Sequence, residues 1–368
     1  MLKIYHIISG DLWAGAEVMA YNLLKSLKAM DGLQVSAILL NEERLASELR
    51  DLDIQVHVVD EASYSFLSIL KRIKRIVNRN KPNIIHSHRY KENLLALLVS
   101  TGLLNTKIVC TQHGMQEANK KHFELKSKLF WKINTFLQSR YFHQVVVVSQ
   151  DMKNNFHDQY GFRDEKVHVI SNGIDVRSTA GVMNKQVDFV IGSAGRLSQV
   201  KDYTLMIEIA KKTRKKTNNI HFRLAGEGPD RSKIESLITA YQLDDIFTIE
   251  GHVDDMSSFY NHIDLYLNTS LHEGIPMSIL EAMAHTCPVV APRVGGLPEI
   301  VDSGVEGFLI RNRDPAKFAN KCIQLYQDPA LRKKMAEAAR QKVMNQFSME
   351  AMAQHYESLY HNLAEKTH

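Results

Sequence analysis

Short runs of apolar and β-branched residues alternate with amphipathic stretches along nearly the whole chain, and this alternation constrains the fold more than any other feature. In the first half, the predicted strands are residues 2–9, 33–40, 54–60, 83–88, 107–111 and 144–149. Several are apolar on both faces, as are strands buried inside a parallel sheet. Residues 16–29 and 65–79 repeat apolar side chains at helical spacing. Repeated strand–helix–strand units predict a doubly wound α/β sheet.

The alternation is interrupted once, by a polar stretch without periodicity at residues 173–186, which we interpret as a linker. It then restarts in predicted strands 187–195, 220–226, 246–251, 263–269, 287–291 and 307–310. The chain has 368 residues, which suits two or three domains. We therefore expect one α/β domain over residues 1–172 and a second over 187–348. Parallel sheets bind ligands outside the carboxyl ends of their strands, so two such domains facing each other would enclose a binding cleft.

Composition narrows the class of protein. The chain has no apolar run near 18 residues, and its first residues are too polar for a secretory signal. Three widely separated cysteines indicate a reducing compartment, with the cytoplasm as the expected location. Residues 71–140 carry fifteen Lys or Arg against three Asp or Glu, a local charge of +12 within a chain of net charge +5. Such a block suits either an anionic partner or a set of solvated helix faces.

The most informative segment is LHEGIPMSILEAMAHTCPVVAPRVGGLPEIV, residues 271–301. A strand leads into a short loop, and Pro276 suits the first turn of the helix that follows. The free N–H groups of such a helix form an anion site, and Gly274 lets a ligand approach the backbone. Glu273 and Glu281 would repel phosphate, so sugar and ribose hydroxyls are their natural targets. The alternative is a capping Glu followed by a solvated Glu.

The Glu-x7-Glu spacing in EGIPMSILE, followed by PVVAPRVGGLPEIV, resembles the donor-site signature of family 4 glycosyltransferases. The resemblance extends to GRLSQVKDY at 195–203, AGEGP at 225–229, SNGID at 171–175 and DLWAGAE at 11–17. It implies a GT-B architecture, in which two doubly wound Rossmann-like domains face each other across a cleft. It also implies that a C-terminal helix within residues 349–368 packs back on the first domain.

The resemblance assigns a donor site to the second half of the chain. Arg196 and Lys201 should hold the donor phosphates, which two cations and a helix dipole can neutralise without a metal. Glu273 should contact the transferred sugar, and Glu281 the ribose hydroxyls. The remaining expected donor contacts, from backbone groups near sugar, phosphate and base, are Val253, Gly274, Ile275, Pro276 and Met277.

The first half should supply the other wall. Gly15 lies where the family brings a backbone N–H to the donor phosphate, although this chain has Ala-Gly-Ala where the family usually has two glycines before the Glu. His113 should approach the sugar and the reacting centre, or else be a structural turn residue. His86 and His88 are acceptor contacts or packing residues. Their HSH spacing could suggest a metal, but no third ligand is spaced near it, so we predict no metal site.

The resemblance implies a retaining glycosyltransferase whose donor is a UDP- or GDP-linked sugar, and the two cations and the helix dipole predict that it needs no metal and no further cofactor. By the same resemblance, the acceptor would be a glycan or a lipid-linked acceptor in the synthesis of cell-surface polysaccharide, lipopolysaccharide or glycolipid. Two alternatives remain, a sugar-nucleotide epimerase or phosphorylase on the same architecture and a non-catalytic accessory subunit. A dehydrogenase is disfavoured because no strand is followed by G-x-G-x-x-G.

The segment KKHFELKSKLFWKI, residues 120–133, mixes lysines with aromatic residues inside the basic block 71–140. Basic residues beside aromatics suit an anionic membrane surface, so we expect weak, reversible contact with the cytoplasmic face of a membrane. The alternative is a core-facing helix with a solvated basic edge. No nucleic-acid-binding motif accompanies the charge, so we expect no nucleic-acid partner.

Overall fold

The computed structural model describes residues 1–11, 13, 15–114, 124–176 and 188–365, with the side chains of 124–128 outside the description. The chain divides into two compact units. The first unit comprises Met1–Gly173 and Met349–His368, and the second unit comprises Ile174–Ser348. The predicted linker, 173–186, lies mostly outside the described residues, since only 173–176 of it are described.

The first unit is built on a seven-stranded sheet whose paired strands all run parallel, in the order β3-β2-β1-β4-β5-β6-β7. Its strands are β1 (Leu2–Ile8), β2 (Leu33–Leu39), β3 (Gln55–Val58), β4 (Ile84–Ser87), β5 (Lys107–Gln112), β6 (Gln144–Val147) and β7 (Val167–Val169). The helices of this unit that precede the second unit in the sequence are α1 (Gly15–Lys28), α2 (Arg44–Asp51), α3 (Phe66–Asn80), α4 (Tyr90–Ser100), α5 (Glu124–Tyr141) and α6 (Gln150–Tyr160).

The second unit repeats this architecture with a six-stranded parallel sheet in the order β10-β9-β8-β11-β12-β13. Its strands are β8 (Phe189–Ala194), β9 (Ile220–Ala225), β10 (Phe247–Gly251), β11 (Leu265–Leu267), β12 (Val289–Pro292) and β13 (Gly307–Ile310). Its helices are α7 (Tyr203–Arg214), α8 (Arg231–Ala240), α9 (Met256–Asn261), α10 (Met277–Ala284), α11 (Leu297–Ile300), α12 (Pro315–Gln327) and α13 (Pro329–Gln346).

The last helix, α14 (Met349–Glu365), belongs to the first unit. It packs against α1, and Met352, Tyr356 and Tyr360 are buried in the same apolar cluster as Met19 and Leu23 of α1. The chain leaves and re-enters the first unit at neighbouring points, because Ile174 pairs with Ser348 and its N–H donates to the Phe347 carbonyl over 2.9 Å.

The structure confirms the predicted α/β fold, and every predicted strand overlaps an observed one to within two residues at each end. The sequence prediction missed β7, a strand of three residues, Val-His-Val, whose central histidine interrupts the apolar run. Cys110, Cys287 and Cys322 are buried and free. Within the described ranges, no helix is both long and apolar enough to cross a membrane.

Candidate functional site

In the second unit, the predicted donor residues lie where the strand order of the sheet reverses. β8 is flanked by β9 on one side and β11 on the other, so the loops that follow β8 and β11 diverge at this point. The first loop carries Arg196 and ends in a short 3₁₀ helix, Gln199–Lys201. The second loop carries Glu273 and leads into α10. Parallel sheets bind ligands in the crevice that opens at such a switch point.

Lys201 and Glu273 form an ion pair between these two loops. Lys201 Nζ lies 2.6 Å from Glu273 Oε1, and the two side chains are only 21% and 11% exposed. The Ser270 hydroxyl donates to the same carboxylate oxygen over 2.5 Å. The partly buried pair is therefore shielded from water, which strengthens its electrostatic interaction relative to a surface pair. The structure thus brings together two residues that the sequence places 72 positions apart.

Arg313, which the sequence analysis missed, links the same two loops. Its guanidinium donates to the Asp202 carboxylate over 2.6 Å, beside Lys201. It also donates to the carbonyl oxygens of Thr269 and Ser270, over 2.5 and 2.8 Å. One planar group thereby fixes the spacing of the loops that carry Lys201 and Glu273. Arg313 follows β13, outside every motif, so no sequence signal identified it.

The glycines of the GGLPE segment support the Glu273 loop from behind. Gly295 has a φ of +50°, and a Cβ added to it would lie 1.9 Å from the Glu273 carbonyl oxygen. The next residue, Gly296, donates its N–H to that oxygen over 3.0 Å. A side chain at 295 would therefore displace the backbone of Glu273. This explains physically why the position behind the Glu273 loop is a glycine.

The AGEGP loop packs in the same way against the loop that carries Arg196. A Cβ on Gly226 would lie 2.0 Å from the Gly195 carbonyl oxygen, and one on Gly228 would lie 2.4 Å from the Leu197 carbonyl oxygen. Arg196 sits between these contacts with an exposed side chain that makes no ion pair with another described residue. Its backbone is held in place while its guanidinium faces solvent.

α10 begins at Met277, and Pro276 is its N-cap residue, one position before the first turn that we predicted for it. Its N-terminal N–H groups follow directly on the Glu273 loop. Glu281 lies in the second turn, where Oε2 accepts a hydrogen bond from the Tyr260 hydroxyl over 2.8 Å. Burial raises the pKa of Glu281, and burial and the adjacent carboxylate raise that of Tyr260 well above its usual value. Tyr260 lies on α9, and the sequence analysis did not identify it.

The other predicted donor residues divide into two groups. Gly274, Ile275 and Met277 flank Pro276 at the start of α10, and Ile275 and Met277 are buried. Val253 follows β10, the outer strand of the sheet, which β9 separates from β8. Val253 therefore lies at the same edge of the sheet but away from the Lys201–Glu273 pair.

In the first unit, the predicted histidines form one cluster with a fourth that the sequence analysis missed. His6 lies in β1, directly opposite His86 in the adjacent strand β4. His6 Nδ1 is 3.0 Å from His88 Nε2, and His88 Nδ1 is 3.2 Å from His113 Nε2. His86 and His88 stack with their ring centroids 4.5 Å apart. The cluster lies at the strand-order reversal of this sheet, between β1 and β4.

His86 is also fixed by hydroxyl groups. Its Nδ1 is 2.6 Å from the Tyr360 hydroxyl of α14, and its Nε2 is 2.8 Å from the Thr111 hydroxyl. The Tyr356 hydroxyl lies 2.8 Å from the same Thr111 oxygen. Both nitrogens of His86 therefore have partners inside the first unit. His86 therefore packs and bonds inside the first unit, where the Tyr360 hydroxyl of α14 holds its ring.

The four imidazoles are held neutral. Burial lowers the pKa of His6 to about 3, and burial together with the charge of Arg89 lowers that of His113 to about 3. Burial and the neighbouring imidazoles hold the pKa values of His86 and His88 well below the usual value. Neutral rings can donate and accept hydrogen bonds, but at neutral pH they carry no charge to offer a ligand.

His6, His86 and His88 correct one sequence expectation, that no third potential metal ligand lies near the HSH pair. One nitrogen from each lies within 4.8 Å of the others. His6 is 80 residues before His86 in the sequence, so only the pairing of β1 with β4 shows that the two side chains are neighbours. Five of the six nitrogens of the three rings bond to one another, to His113 or to the Thr111 and Tyr360 hydroxyls, and the sixth is His6 Nε2.

Gly15 is the first residue of α1 and directly follows the loop after β1. Leu12 and Ala14 of that loop lie outside the described residues. Beside it, buried Glu17 pairs with Arg89 over 2.6 Å, and Arg89 also contacts Asp11 over 3.2 Å. Burial raises the pKa of Glu17, against the effect of Arg89. This ion pair ties the loop after β1 to the loop after β4, which carries His88.

Comparison with known families matches both units. Residues 13–178 match the family model described as Glycosyltransferase Family 4. Residues 182–342 match the model described as Glycosyl transferases group 1.

Similar proteins match this chain over most of its length and most of theirs. N-acetyl-alpha-D-glucosaminyl L-malate synthase of Bacillus anthracis is 24% identical over 81% of this chain and 79% of its own length. UDP-Gal:alpha-D-GlcNAc-diphosphoundecaprenol alpha-1,3-galactosyltransferase of Escherichia coli is 24% identical over 80% of each. The structure of Anabaena HepE in complex with UDP-glucose is 21% identical, covers 98% of this chain and 100% of its own, and superposes with a TM-score of 0.85. Its likeness shows the GT-B fold, and the chain belongs to the family 4 glycosyltransferases.

Proposed function

We propose that the protein transfers a sugar from a UDP- or GDP-linked donor to a glycan or lipid-linked acceptor, with retention of anomeric configuration and without a metal or other cofactor. The Lys201–Glu273 pair carries this proposal, because it brings a cation and a carboxylate together in the loops beside the start of α10. The N-terminal N–H groups of α10 and the exposed Arg196 guanidinium add positive potential at the same edge of the sheet.

The ion pair supports a division of labour. The Lys201 ammonium has three N–H donors, and one of them contacts Glu273. The others can donate to donor phosphate oxygens, while the carboxylate accepts hydrogen bonds from sugar hydroxyls. Because Ser270 and Arg313 fix the Glu273 loop, both groups are positioned before a ligand binds, which lowers the entropic cost of binding.

Glu281 binds the nucleoside end of the donor in this proposal. Tyr260 engages one of its two carboxylate oxygens, and the other can accept hydrogen bonds from the ribose hydroxyls. A carboxylate already partly desolvated gains more from such bonds than one exposed to water.

The transfer step follows from where charge develops. The bond between the anomeric carbon and the diphosphate oxygen breaks, and the acceptor oxygen bonds to the same face of that carbon. The acceptor proton moves to the leaving diphosphate oxygen. Lys201, Arg196 and the α10 N-terminus stabilise the negative charge that builds on the diphosphate, an interaction that is stronger in the transition state than in the ground state.

The test is transfer to a sugar acceptor in the presence of EDTA, with the product anomer assigned by NMR. Candidate donors are first selected by thermal shift, since a donor at 100 times its Kd should stabilise by about 2.7 kcal/mol. A retained anomer formed in EDTA supports the proposal. Loss of transfer in EDTA that a divalent ion restores, or an inverted product, contradicts it. An epimerised donor without transfer favours the epimerase alternative.

The two relatives above have different acceptors by name, malate for one and a lipid diphosphate sugar for the other. The surface of the first unit favours the lipid-linked kind. α3 buries Ile69, Ile73 and Val77, and its other side presents a basic, open face. This face carries Lys71, Lys74, Arg75, Asn78 and Arg79.

Exposed apolar side chains accompany this charge on α4 and α5, and α4 packs against both α3 and α5. On α5, Leu129, Phe130 and Phe136 are 59%, 62% and 61% exposed, so these apolar side chains lie outside the core, although another face of the helix is buried. Residues 120–123 and the side chains of 124–128, which include four of the five lysines of the 120–133 segment, lie outside the described residues. We call the exposed faces of α3, α4 and α5 the α3–α5 surface. Cationic and apolar groups together suit an anionic bilayer, where a lipid-linked acceptor is presented at the cytoplasmic face.

Flotation with anionic and neutral vesicles at two salt concentrations tests the membrane contact. We expect weak binding to anionic vesicles that falls with salt and is lost when Lys71, Lys74 and Arg75 are changed to Glu. The matched control changes Lys317, Lys333 and Lys334 of the second unit to Glu, with the same change in net charge. Equal flotation of both triple variants, or none in any condition, contradicts the contact and favours a soluble acceptor.

A further inference from the structure

The first unit contains a row of three hydrogen-bonded imidazoles that ends at the predicted catalytic histidine. His6 Nδ1 meets His88 Nε2 over 3.0 Å, and His88 Nδ1 meets His113 Nε2 over 3.2 Å. His6 and His88 are 0% and 2% exposed, so this end of the row is buried, whereas His113 is half-buried.

Each link needs one nitrogen with a proton and one without, and a neutral imidazole carries a single N–H. The three rings therefore have two consistent arrangements. In one, every ring is protonated on Nδ1 and donates toward His113. In the other, every ring is protonated on Nε2 and donates toward His6.

His6 Nε2 decides between the two arrangements. This nitrogen is buried and has no hydrogen-bond partner among the described residues. In the second arrangement it would be an N–H donor without an acceptor, which buried groups rarely are. In the first arrangement it is an unpaired acceptor, which costs less than an unpaired donor. The first arrangement is therefore the stable one.

We propose that His6 and His88 act as positioning residues that fix His113 in the Nδ1–H tautomer, so that His113 presents a neutral hydrogen-bond donor to the oxygen atoms of the reacting sugar. His113 Nε2 is occupied by His88, which leaves Nδ1–H as the group that faces away from the row. His113 then orients the sugar or stabilises developing charge on its oxygen, and it does not act as the base that removes the acceptor proton. This role of His113 rests on the proposed transferase function, whereas the tautomer does not.

The direct test is the protonation of His113 in the full-length protein, read by ¹H–¹⁵N NMR correlations of ¹⁵N-histidine-labelled protein at pH 7.5. The His113 signals are assigned by their loss in His113→Asn. We expect a proton on Nδ1 and none on Nε2. A proton on Nε2 of His113 overturns the inference.

An isosteric pair of variants tests the mechanism of positioning. Asn at position 6 can still donate to His88 Nε2, so His6→Asn should keep the Nδ1–H tautomer of His113 and stay within a few-fold of wild-type turnover. Asp at position 6 can only accept when ionised, so His6→Asp should reverse the row and move the His113 proton to Nε2. Transfer should then fall by about 10- to 100-fold in kcat, since one donor to the reacting sugar is lost, with UDP affinity unchanged.

The outcomes separate this inference from the proposed function. An Nδ1–H tautomer in a protein that transfers no sugar contradicts the function and leaves the tautomer standing. Active transferase with His113 protonated on Nε2 contradicts the inference alone. If His6→Asp does not fold, the wild-type spectrum still decides the tautomer. Equal loss of activity in His6→Asn and His6→Asp, without a change of tautomer in either, would show that position 6 is only a packing position.

Discussion

Lowering the pH from 7.5 to 5.5 should destabilise the first unit through its buried imidazoles. His6, His86 and His88 are at most 2% exposed, and burial holds their pKa values well below the ordinary value of 6.5. At pH 5.5 these rings remain neutral in the folded protein but take up protons when it unfolds. Because the unfolded state then binds more protons, the free energy of unfolding falls as the pH falls through 6.5.

The magnitude follows from the ordinary pKa alone. Each imidazole that stays neutral in the folded state lowers the free energy of unfolding by about 1.4 kcal/mol between pH 7.5 and 5.5, so these three rings lower it by about 4 kcal/mol together. His113, whose pKa is also lowered to about 3, adds about 1.4 kcal/mol. Buried Glu92 acts in the opposite direction, since burial raises its pKa to about 7. Its uptake of a proton in the folded state offsets about 2 kcal/mol over the same range. The net loss, about 3 to 4 kcal/mol, is a large part of a typical stability of about 5–15 kcal/mol.

A variant isolates the histidine contribution from that of Glu92. His6→Asn removes one buried imidazole, so its free energy of unfolding should change by about 1.4 kcal/mol less than that of the wild type between the two pH values. The control is His361→Asn, which removes an exposed imidazole of α14 and should leave the wild-type pH dependence unchanged.

Urea unfolding followed by tryptophan fluorescence measures this quantity for the first unit alone. The chain has two tryptophans, Trp13 and Trp131, and both lie in the first unit. A reporter confined to one unit avoids the assumption that both units unfold together. If His6→Asn and the wild type lose the same free energy of unfolding between pH 7.5 and 5.5, His6 titrates equally in both states, and the neutral row is wrong.

Three further predictions concern the second unit. Lys201→Ala should lower kcat/KM by about 10- to 100-fold through loss of phosphate charge stabilisation, whereas Lys216→Ala, a surface change, should leave it unaltered; equal values for both variants contradict the assignment. Glu281→Gln should mainly weaken UDP binding in calorimetry, and Glu273→Gln should lower kcat more than it weakens UDP binding; equally poor UDP binding by both would refute the division between ribose and sugar. Arg313→Gln should lower kcat/KM by about 10-fold because the two loops lose their shared guanidinium, and Arg313→Lys should recover only part of it, since an ammonium cannot replace the planar fork; full activity of Arg313→Gln would show that the loops hold their spacing without it.

The sequence by itself determined the strand–helix alternation and the position of the donor motif. Strands inside a parallel sheet are buried on both faces, so their apolar runs are visible without knowing their neighbours. Residues such as Arg196 and Glu273 follow these strands directly, so the strand prediction alone placed them at the carboxyl edge of a sheet. The sequence prediction missed β7 because a strand of three residues has too few positions to show a pattern.

Only the tertiary structure decided which residues meet. His6 faces His86 because β1 and β4 are adjacent and in register, and the pattern within a strand gives its buried faces but not its neighbour. Arg313 and Tyr260 reach Asp202 and Glu281 through loops and helices whose separation in sequence is unrelated to their distance in the fold. Strand order and register are set by the packing of the whole sheet and its helices, so the imidazole row and the linked loops have no local signature in the sequence.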